Sequence, residues 1–190
     1  KMNSNGKGGL GGALKALGRS ITSGESFFIT KASAIGTNGK ISLAPASLGS
    51  IKEILVGQEQ WNLNTGAFLV SEGGVHYIME RQKLDGALFG GTGGLFVMKT
   101  QGSGKMLISG YGDIVEIALD GTEDFVVDNQ HVLAWTESLS YSIEVASGTF
   151  GFKTGEGLVN KFRGKGKILI QSRNVEALAQ SIIPFIPSKG

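Results

Sequence analysis

The chain has no cysteine. Disulfides, thiolate nucleophiles and cysteine-based metal sites are therefore excluded, and the composition suits a reducing compartment such as a prokaryotic cytoplasm. Imidazole is scarce too, with two histidines, His76 and His131. Neither has an adjacent histidine or a metal-ligand spacing. Proline occurs 3 times in 190 residues, while glycine occurs 31 times without a collagen period. That imbalance points to many tight turns between short strands. No apolar run approaches the about 18 residues that a membrane-spanning helix needs. No cleavable signal is visible either, although a missing N-terminus would hide one.

What the chain does have is one phrase written three times. Gly24-Glu25-Ser26-Phe27-Phe28-Ile29-Thr30-Lys31 precedes Gly39-Lys40-Ile41-Ser42-Leu43. Gly93-Gly94-Leu95-Phe96-Val97-Met98-Lys99 precedes Gly104-Lys105-Met106-Leu107-Ile108. Gly155-Glu156-Gly157-Leu158-Val159-Asn160-Lys161 precedes Gly166-Lys167-Ile168-Leu169-Ile170. The copies are about 62 to 65 residues apart, longer than common solenoid and blade periods.

The duplication continues past the glycine phrase. Ile51-Lys52-Glu53-Ile54 matches Ile114-Val115-Glu116-Ile117, Trp61 matches Phe125, Phe68-Leu69 matches Val132-Leu133, and Tyr77 matches Tyr141. The third copy opens its second half at Asn174-Val175-Glu176-Ala177-Leu178 and stops. The sequence thus predicts one compact domain, 1–190, of about two and a half β-rich repeats, approximately 20–85, 86–148 and 149–190. An N-terminal segment that completes the third unit is expected to be missing.

Short apolar runs bounded by Gly or Ser predict strands at Phe27–Thr30, Lys40–Leu43, Ala67–Val70, His76–Met79, Leu95–Met98, Lys105–Ile108, Gly112–Leu119, Asp124–Val127, His131–Trp135, Tyr141–Val145 and Gly166–Gln171. Helix is confined to Gly9–Arg19 and to Val175–Ile183, the latter with Asn174 as N-cap and Pro184 as terminator. The fold class is therefore all-β, an antiparallel sandwich or barrel with one or two short helices. The apolar tail Ile182–Pro187 is expected to cover a sheet edge or an end of the core, with subunit docking and peripheral membrane contact as the other possibilities.

At this point the residues carry a resemblance. Thr154 through Asn174, with its Gly-Glu-Gly-Leu-Val-Asn-Lys-Phe-Arg-Gly-Lys-Gly-Lys core, resembles the signature of the "altered inheritance of mitochondria" family, long catalogued in prokaryotes as a domain of unknown function. Val127–Trp135 and the glycine-rich lead-in Gly8–Phe28 resemble its neighbouring segments. The resemblance implies three β-rich units about a pseudo-threefold axis, like the subunit of the tryptophan RNA-binding attenuation protein. It implies no established enzyme activity and no cofactor, and a mitochondrial location if the chain is a fungal relative.

The candidate sites are few. The Gly-Lys pairs are not phosphate loops, because Lys40, Lys105 and Lys167 are followed by Ile, Met and Ile and then by a strand. Gly39, Gly104 and Gly166 are better read as turn residues with unusual backbone angles. His76 and His131 could hold a metal with Glu137 or Glu144, and Glu53, Glu116 and Glu176 could meet near the axis around a cation. The net charge of +2 hides +5 over residues 1–50, −8 over 51–150 and +5 over 151–190. Lys153, Lys161, Arg163, Lys165, Lys167 and Arg173, interleaved with Phe150, Phe152 and Phe162, form a possible anionic-ligand surface.

Three functions follow in order: a non-enzymatic scaffold or protein-interaction module, with a protein partner or self-association; a binding module for RNA or an anionic surface; and a metal-dependent enzyme.

Overall fold

The computed structural model describes residues 2–4, 28–36, 38–81, 96–147 and 158–186. In chain order the strands are β1 (Met2–Ser4), β2 (Phe28–Thr30), β3 (Ile51–Val56), β4 (Trp61–Asn64), β5 (Phe68–Ser71), β6 (Val75–Arg81), β7 (Phe96–Gly102) and β8 (Gly104–Ser109). They continue with β9 (Ile114–Asp120), β10 (Phe125–Asp128), β11 (Val132–Thr136), β12 (Ser140–Ser147), β13 (Leu158–Arg163) and β14 (Lys165–Gln171). One α-helix, α1 (Val175–Ile182), follows β14.

The strands build a six-stranded antiparallel sheet in the order β6-β7-β4-β11-β14-β9, two three-stranded sheets, β3-β8-β5 and β10-β13-β12, and the pair β1-β2. None of these sheets closes into a barrel among the described residues. The consecutive strand pairs β7, β8 and β13, β14, whose two members lie in different sheets, make equivalent pairings. The first strand of each lies between β4 and β6 or between β10 and β12. The second lies between β3 and β5 or between β9 and β11. The sequence repeat is thus a structural repeat over these two copies. β4 and β11 join them, with Leu63 opposite Ala134 and Asn62 opposite Trp135.

The middle of the six-stranded sheet is buried on both faces, while its outer strands β6 and β9 each expose alternate residues. Side chains alternate between faces along a strand. On β14, Leu169 joins the core of Ile54, Val56, Leu63, Met106 and Ile108, whereas Ile168 joins that of Val97, Val132, Trp135 and Phe162. The first core lies against β3-β8-β5 and the second against β10-β13-β12. This double burial explains why all five residues of β11 are buried, a pattern uncommon for an antiparallel strand with one wet face.

Two expectations are corrected. Lys40–Leu43 is irregular, and Ile41 is 67% exposed. A strand exists only by pairing, and β2, just before it, pairs with β1 while no described strand lies beside Lys40–Leu43. The apolar tail covers no core among the described residues: Ile182, Ile183, Phe185 and Ile186 are all exposed. The helix over Gly9–Arg19 lies outside the described residues. The one over Val175–Ile183 is present as α1 followed by a 3-10 turn, Ile183–Phe185.

Candidate interaction surface

Of the basic residues singled out from the sequence, Lys161 and Arg163 lie on β13 and Lys165 and Lys167 on β14. Lys153, Phe150 and Phe152 lie outside the described residues. Phe162 is fully buried, so it offers no ring for stacking. On β13, Lys161 Nζ and Arg163 Nε both reach Asp124 Oδ2 at 3.0 Å. Those two hydrogen bonds hold the Asp124 carboxyl below its usual range. On β14, Lys167 Nζ meets Glu59 Oε2 at 2.9 Å, and that bond raises the ammonium pKa. Lys165 is exposed opposite Asp120, and Arg173 is exposed beyond the end of β14.

Two of the three Gly-Lys lysines, Lys105 and Lys167, line one shallow groove of about 630 Å³ together with Leu55, Val56, Gln58 and Glu59. Neither lysine is free for an anion there. Lys105 Nζ binds Glu53 at 3.3 Å and Lys167 binds Glu59. Lys105 and Lys167 lie within strands β8 and β14, as the sequence leads one to expect, whereas Lys40 enters no strand.

The three repeat-related glutamates do not converge. Glu53 pairs with Lys105, Glu116 pairs with Lys52 at 3.3 Å, and Glu176 on α1 takes a hydrogen bond from Gln130. Among the described residues no three His, Cys, Asp or Glu side chains are placed to hold a metal. His76 is exposed on β6. His131 is half-buried, and both ring nitrogens are in use: Nδ1 lies 2.6 Å from the Gln171 carbonyl oxygen and Nε2 lies 3.1 Å from Asn174 Nδ2.

The remaining feature is apolar. On α1, Val175, Leu178 and Ile182 share a face at spacings of three and four. Ile183, Phe185 and Ile186 extend it, and all six are exposed, Phe185 at 84%. Asn174 holds the start of this segment, its Oδ1 accepting from the Ala177 N–H at 2.7 Å. The sequence identified that cap but not its contact with His131. Nothing local could have revealed it, because the two residues are 43 apart and meet only through strand pairing.

An uncharacterized protein of Streptococcus pyogenes serotype M6 is 48% identical over 186 residues, spanning 97% of this chain and 74% of the relative. A Streptococcus pyogenes protein of known crystal structure matches with a TM-score of 0.72 at 41% identity, over 98% of this chain and 82% of that one. The profile of mitochondrial biogenesis AIM24 proteins matches residues 1–173. The chain belongs to the AIM24 family.

Proposed function

We propose that the protein is a non-enzymatic interaction scaffold, a β-sheet body that docks protein through its C-terminal apolar segment, in the first instance a second copy of itself. The observation that supports this is the continuous exposure of Val175, Leu178, Ile182, Ile183, Phe185 and Ile186, each 40% or more exposed. Single exposed apolar residues are ordinary, whereas a contiguous group marks an interaction site. Residues 175–186 carry one charge, Glu176, so a like copy meets the segment without a field of repelling charges. The test is capture on the immobilised protein, comparing wild type with the pair Leu178→Ser and Phe185→Ser. Capture of the free chain by wild type and its loss in the variant is expected. Equal capture by both, or none by either, removes the segment from the account.

Binding of RNA or an anionic surface is the second reading, supported by Arg163 and Lys165 exposed at the β13–β14 turn. It predicts salt-sensitive binding lost on charge reversal at those two residues. No retention of single-stranded RNA at low salt would end it.

A further inference from the structure

None of the eight residues of α1 is buried, and a helix shorter than about 12 residues is marginal in water on its own. Its attachment to the sheet therefore rests on the first turn. There a relay of three hydrogen bonds runs from the Ala177 N–H to Asn174 Oδ1 at 2.7 Å, from Asn174 Nδ2 to His131 Nε2 at 3.1 Å, and from His131 Nδ1 to the Gln171 carbonyl at 2.6 Å. Both ends have fixed roles, since a backbone N–H only donates and a carbonyl only accepts. The Asn174 amide must then turn its NH2 group to the ring, and the imidazole must be neutral with its proton on Nδ1.

The far end of the relay is anchored. Gln171 Oε1 accepts from the Tyr111 N–H at 2.9 Å, and Gln171 Nε2 donates to the Gln130 carbonyl at 2.8 Å. Duplication does not account for the arrangement. The positions equivalent to His131 and Gln171 in the preceding copy are Ala67 and Ser109.

We propose that His131 is a pH-sensitive latch for α1. A proton added at Nε2 places two donors face to face. The amide can meet an imidazolium only by turning its oxygen toward the ring, and that withdraws the cap from Ala177. Of the charged groups on the neighbouring elements, none bonds the His131 ring. Asp128 accepts from the Gln130 N–H at 2.8 Å, Glu176 is engaged by Gln130 and Gln180, Lys161 on β13 pairs with Asp124, and Arg173 is itself cationic. Acidification thus loosens the helix that presents the apolar face, whether or not that face docks protein.

The test is nuclear magnetic resonance on the whole chain as pH falls from about 8 to about 5, the range over which histidine changes charge. Carbon-13 shifts of Ala177, Leu178 and Ala179 report helix, and ring nitrogen-15 shifts report the tautomer. The helix-to-coil ratio of α1 is expected to fall roughly fivefold, the worth of one N-cap, while β11 and β14 stay unchanged. His131→Gln abolishes the trend. Asn174→Asp reverses it, because a carboxylate caps the helix and accepts from imidazolium at once. A helix population that ignores pH, the same trend in His131→Gln, or a ring proton on Nε2 in the wild type at pH about 8 overturns the latch. The last readout needs no variant to fold.

Discussion

Gly166 and Gly66 show how one residue type has two meanings in this chain. A Cβ at Gly166 would lie 2.3 Å from Thr136 Oγ1 and 2.8 Å from both Leu139 Cγ and Ser138 Oγ, whereas one at Gly66 would meet nothing within 4 Å. The Thr136 hydroxyl cannot retreat freely, because it accepts from the Lys167 N–H at 3.0 Å. Gly166→Ala should cost about 1–3 kcal/mol of unfolding free energy, and Gly66→Ala should stay within about 0.5 kcal/mol; denaturant titration distinguishes them. The sequence assigned Gly39, Gly104 and Gly166 to unusual backbone angles. That holds for Gly104, at φ +141°, but not for Gly39 or Gly166, and Gly166 is required instead by close packing that no local pattern reveals.

Phe162, fully buried, lies edge-on to Trp135 with ring centres 5.5 Å apart. Phe162→Ala should cost about 3–5 kcal/mol, read from the same titrations. The Tyr141 ring centre stands 4.6 Å from that of Trp135. Burial first, and the charge of Glu80 second, push its phenol from 10.0 up to about 12. A raised value means that the folded state favours the protonated form. This contribution is complete below about pH 10 and is lost as pH rises through about 12. Absorbance titration at alkaline pH should show a late-ionising tyrosine that disappears in Tyr141→Phe, and the variant should lose less stability over that window.

At the scale of elements, the sequence showed what is local. Apolar runs punctuated by glycine gave most of the strands, and Asn174 with Pro184 bracketed α1. What it could not show is pairing. Lys40–Leu43 has a strand pattern equal to that of Lys105–Ile108, yet only the latter lies between β3 and β5. Val175–Leu178 matches the opening residues of β3 and β9 and still forms a helix, because Asn174 caps it and no described strand offers a ladder. The carboxylate beside the basic cluster was hidden for the same reason. Asp124 is 37 residues from Lys161 in sequence, and only the β10–β13 pairing brings it within 3.0 Å.

At the scale of the molecule, the repeat explains architecture and the exceptions to the repeat locate interest. Two copies of one strand pattern share the six-stranded sheet through β4 and β11. The equivalents of these joining strands in the other copy, β10 and β5, lie at sheet edges among the described residues. The His131 relay and α1 have no copy, and they carry the exposed apolar face. Among the described residues no helix is long and apolar enough to cross a membrane, so α1 is too short to hide its face by spanning one.

The central claim is that this face brings chains together. Light-scattering mass across a concentration series tests it most directly, on wild type beside the Leu178→Ser, Phe185→Ser variant. The account predicts a wild-type mass that rises above the 19.9 kDa of one chain and a variant that stays at it. A wild type that remains at the single-chain mass at every concentration would contradict it.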